Sequence, residues 1–409
     1  MTPPQLLTPF RGEHYADPNS LAARLAPPYD VISPERRVAL AARDAANIVH
    51  LDLPHAPGSG DPYAVAAASL AAWRANGTLV RDAVRSAYVL RTTAVLPDGV
   101  KRTRTGVFLA AHAEPFAAGR ILPHEKTHAG PKEDRRRLMH ATGANLSPVF
   151  LLAPDTEGTL ASLLAEFCRG RPWARCEAIG ASHEVWLAEG ETAERMAREA
   201  SREPVYIADG HHRFETSVMF RGECPEEWRA GAARTLTHVV SFQDPGLAIL
   251  PTHRVVPGDP MRPEDFLAVA GRYLMPADRA GAALTVLFSG GEEVGLALRP
   301  DADLSDVRDL PDHPAVRGLA VTIADVIAIR TVVAGRAGGA PTLGYTPDAA
   351  EARAAARGAR CAFAVLLPAT RLDEVRRVAD AGQVMPQKST FFAPKVPTGV
   401  VIRPFAGEV

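Results

Sequence analysis

The stretch "EPVYIADGHHRFETSVMFR", residues 203–221, sets the reading of the whole chain. Val205 to Ala208 form a short apolar run of the kind that becomes a strand. Asp209-Gly210 then reads as a tight turn, and His211 onward as a helix. A strand carried through a turn into a helix is the unit from which α/β proteins are assembled. The junction itself is polar, running Asp209, Gly210, His211, His212, Arg213. A helix start offers N–H groups with no intrahelical acceptor and the positive end of the helix dipole. His and Arg side chains at that point make an anion site, most naturally for phosphate. Asp209 can orient a histidine or hold Mg²⁺ against those phosphates. The plainer alternative is a turn residue followed by surface histidines. The run D-G-H-H-R at a strand-to-helix junction favours a site.

Outward from this unit the alternation of helix and strand continues. Ser33, Pro34 and Glu35 carry the signals of a helix start, and residues 61–80 repeat the device in an Ala-rich helix ending at Asn76-Gly77. "SAYVLRTTAV" (86–95) and "KRTRTGVFLAAH" (101–112) predict strands around the turn "LPDG". "EDRRRLMHATGA" predicts a helix stopped at Gly143, followed by a short strand in "SPVFLLA". Residues 233–256 predict two strands around "QDPG", and helices and strands alternate from there to the end. The fold class expected is α+β, a mixed α/β chain, in three parts. These are an N-terminal α/β segment (1–104), a central core (105–245) and a C-terminal α/β lobe (246–409).

Bulk properties narrow the function classes. The 409 residues are 46% hydrophobic and 23% charged, with a formal net charge of −1. A nucleic-acid binder would show a basic excess or tail, and neither is present. No segment reaches about 18 uninterrupted apolar residues, so no membrane span is expected. The opening residues lack the basic start and apolar run of a signal peptide, and Cys168, Cys176, Cys224 and Cys361 form no C-x-x-C. A cytoplasmic protein with buried, reduced thiols is expected. The chain has five lysines, Lys101, Lys126, Lys132, Lys388 and Lys395. Four of them fall within two short stretches, 121–132 and 385–395. Where Arg is used almost everywhere, a retained Lys points to a position that needs a compact point charge rather than a planar fork.

The first of these stretches is "ILPHEKTHAGPK", with His124, Glu125 and His128 in the H-E-x-x-H spacing of zinc hydrolases. That chemistry needs both histidines on one face of a continuous helix, with the Glu beside the metal-bound water. Pro123 can only begin a helix, and Gly130-Pro131 is expected to end one by Ala129. About two turns remain. The second stretch, "MPQKSTFFAPK" (385–395), is polar and broken by proline. Its Lys388, Ser389 and Thr390 can bind a carboxylate or a phosphate.

Across nearly its whole length the chain resembles a bacterial and archaeal family known as "domain of unknown function 1015". The matching residues are "PPYDVIS", "LPHEKT", "ADGHHRFET", "LPTHR" and "MPQKSTFFAPK". Three of these stretches also resemble, in the same order, the free L-serine kinases of hyperthermophilic archaea in the ParB/sulfiredoxin-like superfamily. That resemblance implies a ParB/sulfiredoxin-like nucleotide-binding core with added N-terminal and C-terminal α/β segments. It implies Glu125 as catalytic base and a loop from Asp209 to Arg213 holding the phosphates of ATP or ADP. Asp209 and His211 would also take catalytic parts, with Mg²⁺ on Asp209. Lys126, Lys388, Ser389 and Thr390 would form the acceptor pocket, and L-serine is the substrate implied. About 80 residues separate Glu125 from the loop, far more than in those kinases, and the first 100 residues have no counterpart there. Two other readings stand beside the kinase. One is a nucleotide-binding or hydrolysing regulator of the ParB type, and the other is the zinc hydrolase built on His124, Glu125 and His128.

Overall fold

The computed structural model describes residues 4–127, 129–278, 280–334 and 342–407. The chain divides into two compact units. The first comprises 1–122, 127–247 and 394–409, and the second 123–126 and 248–393. Residue 104, the expected end of an N-terminal segment, lies inside a long strand of the first unit. Residue 245 lies just before the change of unit at 247/248.

The first unit is built on a nine-stranded mixed sheet. Its strands in chain order are β1 (Leu7–Thr8), β2 (Ser86–Val95), β3 (Lys101–His112), β4 (Ile121–Leu122), β5 (Val149–Ala153), β6 (Ala174–Ala178), β7 (Ala181–Glu189), β8 (Val205–Asp209) and β9 (Arg234–Ser241). They run in the order β4-β8-β5-β9-β3-β2-β7-β6, with β1 also against β3. Only β4/β8 and β5/β9 are parallel pairs. The helices are α1 (Pro34–Ala41), α2 (Pro62–Ala75), α3 (Ala129–Thr142), α4 (Thr159–Phe167), α5 (Gly190–Ala200) and α6 (His211–Glu223). Period-two alternation turns Val107 and Leu109 of β3 to the same face as Val149 and Leu151 of β5, and Ile207 of β8 joins them. Leu160 and Leu164 of α4, Met196 of α5 and Phe214 of α6 close that core. The cap signals act as read. Ser33 Oγ accepts the N–H of Arg36, and Asp61 accepts that of Tyr63. Gly143, at φ +60°, ends α3.

The second unit has a six-stranded antiparallel sheet and a two-stranded one. Its strands are β10 (Ala248–Leu250), β11 (His253–Pro257), β12 (Leu274–Pro276), β13 (Leu284–Leu287), β14 (Glu293–Leu298), β15 (Gly344–Thr346), β16 (Cys361–Leu366) and β17 (Phe391–Ala393). The larger sheet runs β12-β14-β13-β16-β11-β15, and β10 pairs with β17. Phe266, Val286, Phe363, Val375 and Val378 form its core with Ile323 and Ile327. The last two lie on a π-helical segment, Ile323–Ile329.

Two local expectations are corrected. The strands flanking "QDPG" do not face each other, because β9 pairs with β3 and β5 while β10 and β11 belong to other sheets. Asp244 accepts the Thr105 N–H at 2.8 Å. A Cβ on Gly246 would lie 2.1 Å from the Thr103 carbonyl oxygen, so the turn is pressed onto β3 and not free to close a hairpin. The pair Gly130-Pro131 opens α3 instead of ending a helix. In a first turn the N–H that proline lacks has no helical acceptor to lose. Among the described residues no helix is long and apolar enough to cross a membrane. The four cysteines are buried and unpaired.

Candidate functional site

In the first unit, β8 is sandwiched between β4 and β5 and carries a register shift between Ile207 and Asp209. Such irregularities re-aim the side chain that follows. The chain then turns through Gly210 at φ +91° into α6. A side chain at Gly210 would be strained at that φ and would also meet the Arg213 guanidinium, whose Nε lies 2.9 Å from the built Cβ. Arg213 therefore folds back beneath the loop. It is only 8% exposed, it donates through Nη1 to the Pro148 carbonyl, and its Nη2 lies 3.6 Å from Asp209 Oδ2. The same carboxylate oxygen accepts from Lys395 Nζ at 3.1 Å. His211 is buried in the first turn of α6, and His212 is partly exposed.

Beneath Arg213 lies a second charged group that sequence reasoning passed over. Arg135 of α3 donates to the Asp52 carbonyl at 2.8 Å and to Asp52 Oδ1 at 3.0 Å, and its guanidinium lies 3.9 Å from the Tyr29 ring centroid. Ser147 also donates to Asp52 Oδ1. Asp52, Arg135, Ser147, Arg213, Ser217 and Thr235 line a small cavity of about 30 Å³. Burial pushes the Asp52 carboxyl up, against the opposite pull of Arg135 and Arg213. Burial likewise pushes the Tyr29 phenol up to about 12. The N-terminal hundred residues thus supply Tyr29 and Asp52 to the packing under the polar loop. Nearby on α6, Glu215 accepts from Thr127 at 2.6 Å and from Lys132 at 2.8 Å.

In the second unit, residues 123–126 lie outside helix and named strand, with one parallel bridge between Glu125 and Met385. The Met385 N–H donates to the His124 carbonyl at 2.8 Å. Glu125 Oε1 accepts the backbone N–H of Lys388 at 3.0 Å. Lys388 adopts φ +57°, the left-handed region that non-glycine residues enter at a cost. Strain of that kind gathers at functional loops. His124 is fully buried, its Nε2 3.0 Å from Thr390 Oγ1, and its ring meets that of Phe392 in a T-shaped arrangement. The Ser389 hydroxyl donates to the Pro386 carbonyl and its own carbonyl accepts from Thr370. Arg254 of β11, fully buried, forms a two-pronged ion pair with Asp325 of the π-helical segment. Burial, then Asp325 and, more weakly, Glu125 push the Tyr345 phenol of β15 up, against the opposite pull of Arg254 and Arg330.

Among the sequence-predicted residues, the structure thus joins Glu125 to Lys388, His124 to Thr390, and Asp209 to Arg213. Glu125 and Lys388–Thr390 belong to one unit and Asp209–Arg213 to the other. Lys126 is exposed, and Ser389 is buried with its hydroxyl engaged in the local turn. Among the described residues no group of three or more His, Cys, Asp or Glu side chains could hold a metal ion. His124 and Glu125 precede α3 and are not on a helix, and His128 lies outside the described residues. Lys395, Lys132, Glu215, Asp52, Arg135 and the Arg254–Asp325 pair were not singled out as site residues. The scarcity of lysine was a signal for Lys132 and Lys395.

Fold and loops together define a mixed α/β protein with a polar strand-to-helix loop in one unit and a fixed carboxylate in the other. The chain belongs to the family described as "Protein of unknown function (DUF1015)", whose model matches residues 7–322. No curated protein matches the chain. Among solved structures it is similar to a free serine kinase in complex with AMP, at 12% identity and a TM-score of 0.37, covering 72% of this chain and 92% of that one. It is also similar to a conserved hypothetical protein from Pyrococcus furiosus, at 14% identity and a TM-score of 0.37 over 73% and 95% of the two chains. A third similar structure is a C-terminally truncated SbnI from Staphylococcus aureus, at 12% identity and a TM-score of 0.37 over 71% and 85%.

Proposed function

We propose that this protein is a small-molecule kinase. It moves a phosphoryl group from ATP or ADP to a free hydroxyl, with L-serine, giving O-phosphoserine, as the acceptor that the motif order favours. The observation that carries the reading is the hold on Glu125. One of its carboxylate oxygens is fixed by the backbone N–H of Lys388, a residue in a strained left-handed conformation. A fixed carboxylate is suited to take a proton from a substrate hydroxyl as the phosphoryl group arrives. In that step the acceptor oxygen bonds to phosphorus, the bridging P–O bond breaks, and the shortened nucleotide leaves with the bridging oxygen. The hydroxyl proton passes to Glu125.

The loop from Asp209 to Arg213 supports the other half of the reading. Helix-start N–H groups with His211 and His212 suit nucleotide phosphates. Arg213, being buried, serves by holding the shape of Gly210 and the position of Asp209. On this reading the first unit plays the part of a ParB/sulfiredoxin-like nucleotide-binding core. Mg²⁺ suits Asp209, because this ion is commonly held by one or two carboxylates together with substrate phosphates. It would supply neutralisation of phosphate charge. Lys126, Lys388 and Thr390 would meet the acceptor.

The test is a screen of ATP and ADP against hydroxyl-bearing amino acids, read by phosphorus NMR, beside Glu125→Gln. The variant should lose about 10²–10⁴-fold in turnover while keeping nucleotide affinity. Turnover near wild type would remove Glu125 as base. Nucleotide binding with transfer to no hydroxyl would favour the regulator of the ParB type instead.

A further inference from the structure

We propose that Lys395 is a nucleotide-phosphate ligand held in reserve on Asp209, and that it moves from carboxylate to phosphate when Mg²⁺-nucleotide binds. The inference rests on the kinase reading of the loop and adds a residue to it. Its starting point is the pair of contacts described at one oxygen: Asp209 Oδ2 lies 3.1 Å from Lys395 Nζ and 3.6 Å from Arg213 Nη2. Arg213 is locked, with Nη1 on the Pro148 carbonyl and its guanidinium under Gly210. Lys395 differs in kind. Its ammonium sits on a flexible stem and is a compact point charge whose donors can turn to a new acceptor without matching a plane.

The loop alone presents phosphate with a difficulty. The Asp209 carboxylate beside the start of α6 repels the very anion that the helix start attracts, and the Arg213 guanidinium, 3.6 Å away and shared with the Pro148 carbonyl, offsets only part of that charge. Lys395 removes that repulsion in the ligand-free protein. A divalent cation on Asp209 would remove it in the complex and would expel the ammonium from the carboxylate by like charge. The displaced ammonium is then one side-chain swing from a site carrying several negative phosphate oxygens. This exchange also accounts for the residue type. The chain holds 46 Lys and Arg together, five of them Lys, and one of those five is placed on the loop carboxylate. An Arg there would pair with the carboxylate in a two-pronged fork and resist release.

Calorimetry of ATP and ADP, with Mg²⁺ and with EDTA, tests this on the full chain. Lys395→Ala should weaken Mg²⁺-nucleotide binding by about 10- to 100-fold, the loss of one charge-assisted contact. Asp209→Asn should bind metal-free nucleotide more tightly than wild type, because repulsion is gone and Lys395 is released. That gain should vanish in Asp209→Asn/Lys395→Ala. Lys395→Gln, which keeps much of the stem and a polar head, guards against loss through misfolding and should match Lys395→Ala. Mg²⁺-nucleotide affinity unchanged in Lys395→Ala would overturn the proposal. So would a gain in Asp209→Asn that persists in the double variant. If the wild-type protein binds no nucleotide, the kinase reading and this inference fall together. If it binds nucleotide and Lys395→Ala binds equally well, only this inference falls.

Discussion

Replacing Arg213 with Ala should unfold the first unit far more readily than a change at an exposed helix start would. The guanidinium is 8% exposed and its Nη1 donates to the Pro148 carbonyl. A hydrogen bond from a charged donor contributes about 1.5–3 kcal/mol. Removal also takes one of two positive charges from beside Asp52, whose carboxylate is 2% exposed and retains Arg135 and Ser147. Breaking a buried charge cluster by deleting one partner typically costs about 3–5 kcal/mol, and this range is expected here. All four tryptophans, Trp73, Trp173, Trp186 and Trp228, lie in the first unit, so tryptophan fluorescence in urea reports that unit alone. The pH dependence carries the sign. Burial raises the Asp52 pKa in the folded state above its unfolded value, so its ionised form opposes folding at neutral pH. Without Arg213 the rise is larger. The deficit of the variant should therefore shrink as pH falls through the carboxyl range and Asp52 takes a proton. A deficit below about 1 kcal/mol, the usual size for a surface change, would refute the reasoning. So would a deficit that grows on acidification.

Lys388→Gly should leave the second unit folded and relieve a left-handed conformation that costs about 1–2 kcal/mol for a residue with a Cβ. The backbone N–H of residue 388 that donates to Glu125 is kept in the variant while the ammonium is lost, so acceptor KM should rise more than turnover falls, which steady-state kinetics would show. A turnover loss equal to that of Glu125→Gln would mean that the side chain, not the backbone, governs the base. His253 supplies a pH test in the second unit. Burial, with Arg254 beside it, lowers its pKa to about 4, and its Nδ1 accepts the Leu367 N–H. The folded state binds fewer protons there than the unfolded, so this contribution is present above about pH 6.5 and is lost as pH falls toward about 4. Hydrogen exchange at amides of β11 and β16 should accelerate across that window, and much less so in His253→Asn. Exchange independent of pH, after correction for the intrinsic rate, would refute it.

Much of the architecture was legible because local signals and tertiary pairing agree. The strands at 86–95 and 101–112 and the helix opened by Ser33-Pro34 follow from alternation, turn residues and caps, all properties of a few neighbouring residues. The junction at Asp209-Gly210 was legible for the same reason, since an apolar run, a turn and a helix start lie within a dozen positions. The pinning of Glu125 was not legible. Its partner is 263 positions away, and the contact depends on the left-handed turn of Lys388, which no local preference of lysine predicts.

By itself the sequence determined that the chain is mixed α/β, that Asp209-Gly210 turns a strand into a helix opened by His211, and that lysine is kept for few positions. Tertiary structure alone decided what those groups do to one another. It buried Arg213, where a charge at a helix start is expected at the surface, because Pro148, Gly210 and Asp52 from three separate segments close around it. It set Lys395 on Asp209 across 186 positions. The physical reason is common to both. Helix, turn and strand preferences are summed over neighbours in the chain, whereas burial and ion pairing are settled by whichever distant segments the sheet order brings alongside.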